Sequence, residues 1–233
     1  MGNAKGTIAR RDSRITGEER RAQILETALD LVAERGVPGT TMARIAAKVG
    51  VSEPALYRYF DTRLELLLAA IDLLRDRARG WITSSSEPNA LQRLREIGES
   101  HASFVSGEGE GFSSPLLDFI AASPHAGLRA RLRETHFENI GVLAGIVDEG
   151  KAQGSIRQDA DSELVAWQVM RLAWAETVSS LMGLDQSVNK EVSAMMLTRI
   201  LADIAASAQV DAPENEGRTL KESEAGAGPI IAQ

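Results

Sequence analysis

Between Thr41 and Arg63 the chain sets hydroxyl and guanidinium side chains at spacings that suit a polyanion. Thr41, Arg44, Tyr57, Tyr59 and Arg63 can donate hydrogen bonds to phosphate oxygens, helped by backbone N–H groups at helix starts. Ser52, Glu53, Pro54, Ala55 and Arg58 fall in the first turns of a short helical stretch. Side chains in that position meet base edges when a helix lies in a major groove. Glu53 cannot bond a phosphate. It can accept from cytosine N4, and it equally suits the positive end of a helix dipole. Pro54 and Ala55 offer no hydrogen bonds, so they read thymine methyls or shape. Specificity then leans on Arg58 and on the deformability of the DNA.

No other stretch competes as chemistry. The chain has no cysteine, which removes disulfides, thiolate zinc sites and thiol catalysis together. Of the histidines His101, His125 and His136, the last two are too far apart to chelate a metal as a helical pair. The three histidines read as surface or packing residues. Gly107–Gly111, GEGEG, lacks the strand before it and the Lys-Ser/Thr after it that a phosphate loop needs. It reads as a flexible connector. No Ser/His/Asp set or carboxylate pair is visible, so neither an enzyme nor a cofactor nor a metal site is expected.

The segment that carries these side chains reads as two short helices about a tight turn. Thr40 and Thr41 are N-cap residues, and Ile45, Ala46 and Val49 make one apolar face. Gly50 suits the left-handed end of a helix. Ser52 is a second N-cap, and Pro54 is tolerated in the first turn that follows. Leu56 and Phe60, four apart, share the inward face. Such a unit places its second helix in the major groove.

The pattern T-T-x-x-x-I-A-x-x-x-G-V-S-x-x-x-L-Y-x-Y-F, with a basic residue three past the Phe, resembles the DNA-binding domain of the TetR (tetracycline-repressor) family. Here it is carried by Thr40, Thr41, Ile45, Ala46, Gly50, Val51, Ser52, Leu56, Tyr57, Tyr59, Phe60 and Arg63. The resemblance covers roughly residues 17 to 75; beyond them only the helical layout is similar. It implies similar DNA-contact roles at the matching positions, and a dimer.

The 233 residues suffice for one large or two small domains. Net charge is −7, but residues 1–79 carry fourteen Lys and Arg against eleven Asp and Glu, +3, and the rest twelve against twenty-two, −10. The acid lies away from the proposed reading end, and phosphate binding follows the local field. No run of ~18 apolar residues could span a membrane, and the N-terminus lacks the apolar core of a secretory signal. The expected location is cytoplasmic.

The expected fold is all-α with about nine helices. Residues 1–15 form a flexible arm with Lys5, Arg10, Arg11 and Arg14. Residues 16–79 form the helix-turn-helix head, three helices plus a connecting fourth. Thr16 with Glu19 and Thr62 with Glu65 fit capping boxes at helix starts. The head core is expected from Leu31, Ile45, Val49, Val51, Leu56, Phe60, Leu64 and Leu67. Residues 80–208 form a helical regulatory and dimerisation body, and 209–233 a disordered tail. Body helices are expected at about 88–106, 112–122, 125–149, 160–183 and 188–208. The last two are apolar on several faces and would pair with their copies in a four-helix interface about a two-fold axis. Trp81, Phe104, Phe112, Phe119, Phe137, Trp167, Met170 and Trp174 are the candidates to line a pocket for a small apolar or amphipathic ligand.

The reading is therefore a homodimeric transcriptional regulator, a repressor released from a near-palindromic double-stranded DNA operator by that ligand. The alternative is an architectural or protein-recruiting DNA-binding factor with no small-molecule effector.

Overall fold

A computed structural model describes residues 15–106, 110–122, 126–184 and 186–206, with side chains for all of these but 106, 110–114, 126 and 186–190. Residues 1–14 of the expected arm, 107–109 of the GEGEG stretch, His125, the side chain of Phe112 and the tail fall outside that set, while residues 110 and 111, expected as connector, open a helix instead. Among the described residues there are nine helices, and the one strand-like feature is an isolated antiparallel bridge between Ile156 and Ala205.

Helix α1 (Gly17–Gly39) opens on the capping box that Thr16 and Glu19 promise, each side chain bonded to the other's backbone N–H. Its buried stripe is Ile24, Leu25, Ala28, Leu31 and Val32. Regular helix ends at Gly36, whose φ of 68° is left-handed, and a short turn with Pro38 completes the element. Thr40 does not cap the next helix. Its buried hydroxyl turns back and donates to the Gly36 carbonyl at 3.0 Å, and Thr41 takes the N-cap position alone.

Helix α2 (Met42–Val49) buries Met42, Ile45, Ala46 and Val49 and ends at Gly50 with φ 79°. Helix α3 (Glu53–Leu56) is only four residues long, and the chain continues as turn through Tyr59. Helix α4 (Arg63–Ile82) starts on Thr62, which accepts from the Glu65 N–H at 3.0 Å. The return half of that box is absent: Glu65 accepts from Asp61 N–H instead, at 2.7 Å. Leu64 is also a correction to the expected core. It is 44% exposed and lies against Gly127, while Leu66, Leu67, Ala70, Ile71 and Leu74 form the buried stripe. The head core closes around Ile24, Ile45, Leu56, Phe60, Leu66 and Ile71, with Val51 half-buried at its edge. Each such side chain, once removed from water, contributes about 1.5–3 kcal/mol.

The body holds α5 (Ala90–Ser106), α6 (Glu110–Ala121), α7 (Ala126–Gln153), α8 (Ser162–Leu181) and α9 (Gln186–Ile204). Helix α4 runs through Gly80 to Ile82, so the break that the Ser/Gly/Pro composition marks begins at Thr83. A second core forms between α5, α7, α8 and α9, from Leu94, Leu143, Val147, Val165, Leu172, Leu197 and Leu201. Two glycines set its spacing. A Cβ on Gly98 would sit 2.6 Å from Leu197, and one on Gly150 would sit 2.4 Å from Ile156. Helix α4 packs along α7, and α6 packs on α1, so the head is joined to the body twice. Phe119 of α6 and Leu128 of α7 belong to the head's core.

Candidate nucleic-acid interface and body cavity

The turn between α2 and α3 is built from two backbone bonds to one carbonyl. Gly50 N–H and Val51 N–H both donate to Ala46, at 2.9 and 3.0 Å. Leu56 and Phe60 then anchor the second segment, at 0% and 1% exposure, and Arg21 lies 4.7 Å from the Phe60 ring centre. With those two side chains inward, Ser52, Glu53, Pro54, Tyr57 and Arg58 are exposed, and Ala55 and Tyr59 are half-buried. Ser52 sits at the N-cap of α3, but its hydroxyl makes no capping bond. Among the described residues Glu53 and Arg58 form no ion pair. Of the residues expected to meet base edges, Ser52, Glu53, Pro54 and Arg58 thus stand on one outward ridge, with Ala55 half-buried at its side.

The flanking candidates divide. Thr41 caps α2 by accepting from Arg44 N–H at 3.3 Å, and Arg44 is exposed, with one guanidinium nitrogen donating to the Gly39 carbonyl at 2.7 Å. Tyr57 is 45% exposed, whereas Tyr59 packs on the head core. Arg63 is half-buried and already bonded. Its Nε donates to the Thr40 carbonyl at 2.6 Å, and a second guanidinium nitrogen donates to the Val37 carbonyl. It closes the junction of α1 and α2 from the start of α4. Lys48 pairs with Glu34 at 2.6 Å across α1 and α2, which holds the deprotonated Glu34 carboxyl below its usual range. That pair is exposed and screened by solvent, so it adds little to stability.

The body encloses a cavity of about 430 Å³ at the seam of the two cores. Ile71, Leu74, Leu116 and Phe119 wall it on the head side, and Ile82, Ile97, Leu143, Val169 and Leu197 on the body side. Of the expected pocket residues, Trp81, Phe119, Met170 and Trp174 line it. Phe137 does not, being 52% exposed. It follows His136, and one residue's rotation of α7 turns it away while His136 faces the cavity. Trp167 is half-buried against His136 and Phe137, at 5.1 and 5.9 Å between ring centres, outside the lining. Phe104 is 42% exposed and stands 6.5 Å from Trp81, also outside it.

Polar groups on the walls were not legible in the sequence. Helix α7 presents Arg129, Arg133, Thr135, His136 and Asn139. Burial pushes the His136 imidazole below its usual range. Glu176 of α8 and His101 of α5 face each other across the interior, both buried. The one available signal was Glu176 itself, a lone acid inside the apolar run of α8. Ion pairs brace the outer wall: Arg131 to Asp72 at 2.6 Å, and Arg75 to Asp72, Asp76 and Glu138. No metal-binding group of His, Asp and Glu occurs among the described residues. None of the described helices is long and apolar enough to cross a membrane.

Residues 24–70 match the family model described as bacterial regulatory proteins, tetR family. The chain is 34% identical over 107 residues to the HTH-type transcriptional activator FasR of Mycolicibacterium smegmatis, a match covering 44% of this chain and 48% of FasR. It is 32% identical over 122 residues to the nucleoid occlusion factor SlmA of Haemophilus influenzae, covering 51% and 56%. The chain thus spans about half the length of the curated relatives it matches. Across more of its length it is similar in fold to the transcriptional regulator FadR of Bacillus subtilis, whose crystal structure contains stearoyl-CoA. There the TM-score is 0.62 and identity 20%, over 78% of this chain and 98% of that one. Residues 24–70 are thus a tetR-family segment, and the helices that follow it share the fold of a solved transcriptional regulator.

Proposed function

We propose that the protein is a homodimeric repressor that leaves its operator when an amphipathic ligand fills the body cavity. Each head inserts the Ser52–Arg58 ridge into a major groove, and two heads address a near-palindromic site about one helical turn apart or slightly more. Thr41, Arg44 and Tyr57 contact phosphates; Arg63 holds the backbone that presents them. Support for the dimer comes from α8 and α9, which expose Leu164, Val178, Leu181, Met182, Val192, Met195 and Met196. Exposed apolar side chains concentrated on two helices that pack together suit an interface.

The observation that carries the ligand-switched reading is the shared wall. Ile71, Leu74 and Phe119 belong to the head core and also line the cavity. A ligand that moves them moves the head, and it shifts DNA affinity by its own preference between the two arrangements. The cavity is mostly apolar. Arg129 and Arg133, exposed on α7 and without an ion pair among the described residues, lie at its rim. That pairing suits an apolar body with an anionic head. The acyl thioester in the Bacillus subtilis regulator is a ligand of this chemistry.

A second reading is favoured by the likeness to the nucleoid occlusion factor: a DNA-bound factor that answers to no small molecule. Fluorescence anisotropy on a labelled operator fragment, with long-chain acyl-CoA titrated in, separates the two. Release at micromolar ligand supports the first reading. Tight binding that no amphiphile changes supports the second.

A further inference from the structure

The body end of the cavity carries two titratable side chains that DNA binding does not use. His101 and Glu176 are 8% and 4% exposed, and His101 Nδ1 lies 2.5 Å from Glu176 Oε2. Trp81 lies over the His101 ring, 4.7 Å between centres, and fixes its plane. Both members of the pair line the cavity. Burying a carboxylate is costly unless its oxygens are bonded, and a carboxylate has about four acceptor positions. Among the described residues His101 is the one hydrogen-bond partner of Glu176. What remains of its accepting capacity can be met from the cavity. Asn139, 7% exposed on α7, lines the same space, and its Oδ1 has no partner among the described residues. Packing alone does not require this arrangement, since apolar residues of similar volume are often as stable as a buried pair.

We propose that Glu176, steadied by His101, is a polar anchor that recognises a hydroxyl or amine on an otherwise apolar ligand. The group donates its O–H or N–H to the Glu176 carboxylate. This deepens the amphiphile reading above and rests on it. Arg129 and Asn139 are ten residues apart on α7, about 15 Å at the helical rise. On α7 the neighbouring Leu128 and Leu132 pack on the head core, which sets Arg129 and Arg133 toward that end, whereas Trp81 and His101 meet beside Ile82 and Ile97 of the body core. The donor therefore sits at the end of the ligand opposite its anionic head.

The test is calorimetric titration of the full-length protein with decanoate, dodecanoate and tetradecanoate, each beside its ω-hydroxy and ω-amino counterpart. At the chain length that spans the cavity, an ω-substituted acid should bind about ten- to a hundred-fold tighter than its parent, the usual worth of a hydrogen bond to a charged group. Comparing the hydroxy and amino arms identifies which donor the site takes. The double substitution Glu176→Leu with His101→Phe should erase the difference; helicity by circular dichroism checks that it folds. Should it not fold, Glu176→Gln, which keeps shape and removes charge, should still shrink the preference. Equal binding of parent and substituted acids at every length, or a preference that survives these substitutions, overturns the anchor and leaves the amphiphile reading standing. If none of the acids binds, that reading fails first and the anchor falls with it.

Discussion

Arg58 and Arg63 share a charge and a neighbourhood, yet their surroundings assign them different work. Arg58 stands exposed beside Tyr57, while Arg63 bonds two backbone carbonyls at the α1–α2 junction. Arg58→Ala should weaken operator binding by about 1–3 kcal/mol and relax preference at one base pair, read by competition gel shift against single-base variants of the site. Arg63→Ala should act on the fold: thermal melts should show a loss of about 1–3 kcal/mol from carbonyls left without donors. The motif marks position 63 as basic, but not the carbonyls it serves, because those belong to residues more than twenty positions earlier. Asp118 of α6 is another residue that sequence could not single out. Burial raises its carboxyl above the ordinary 3.8. The folded chain then holds a proton that the unfolded chain has released, so stability falls as pH rises from 3.8 through the raised value. Asp118→Asn should stabilise the protein at neutral pH, and the gain should fade in melts taken below pH 3.8.

At the scale of elements, two glycines set the geometry of the head. Gly36 ends the regular part of α1 and Gly50 ends α2, both with left-handed φ. No atom lies within 4 Å of where a Cβ on Gly50 would stand, so its substitution isolates the backbone cost. Gly50→Ala should lower stability by about 1–2 kcal/mol and Gly50→Asn by less, measured by urea denaturation. These stops were readable because a helix end is local: a cap residue, a glycine and a change of period lie within one turn. For the same reason the expected ends of the described body helices lie within a few residues of the observed ones. Leu64 misled because a helical stripe allows neighbouring phases, and only tertiary contact decides between Leu64 and Leu66. The cavity was not readable at all. It needs six helices, α4 to α9, placed in space, and its aromatic candidates differ from plain core or surface residues only by which way each helix is turned.

As a whole molecule, the proposed repressor combines a DNA-reading head, an apolar pairing face and a cavity that shares walls with the head. The chain's −7 charge conceals the first of these, because the excess acid lies in the body. Met195 and Met196 of α9 are 64% and 50% exposed, beside Val192 at 42%. Met195→Lys with Val192→Lys should shift the protein to monomer in analytical ultracentrifugation, and operator affinity should fall by more than the two heads' separate contacts explain. The most direct measurement is selection of genomic fragments by the full-length protein at low salt, followed by footprinting of the winners. A near-palindromic footprint is expected, two half-sites centred about one turn apart or slightly more, lost when Tyr57 and Arg58 are both replaced by Ala. Fragments recovered without common sequence or symmetry, or binding indifferent to those two replacements, would contradict it.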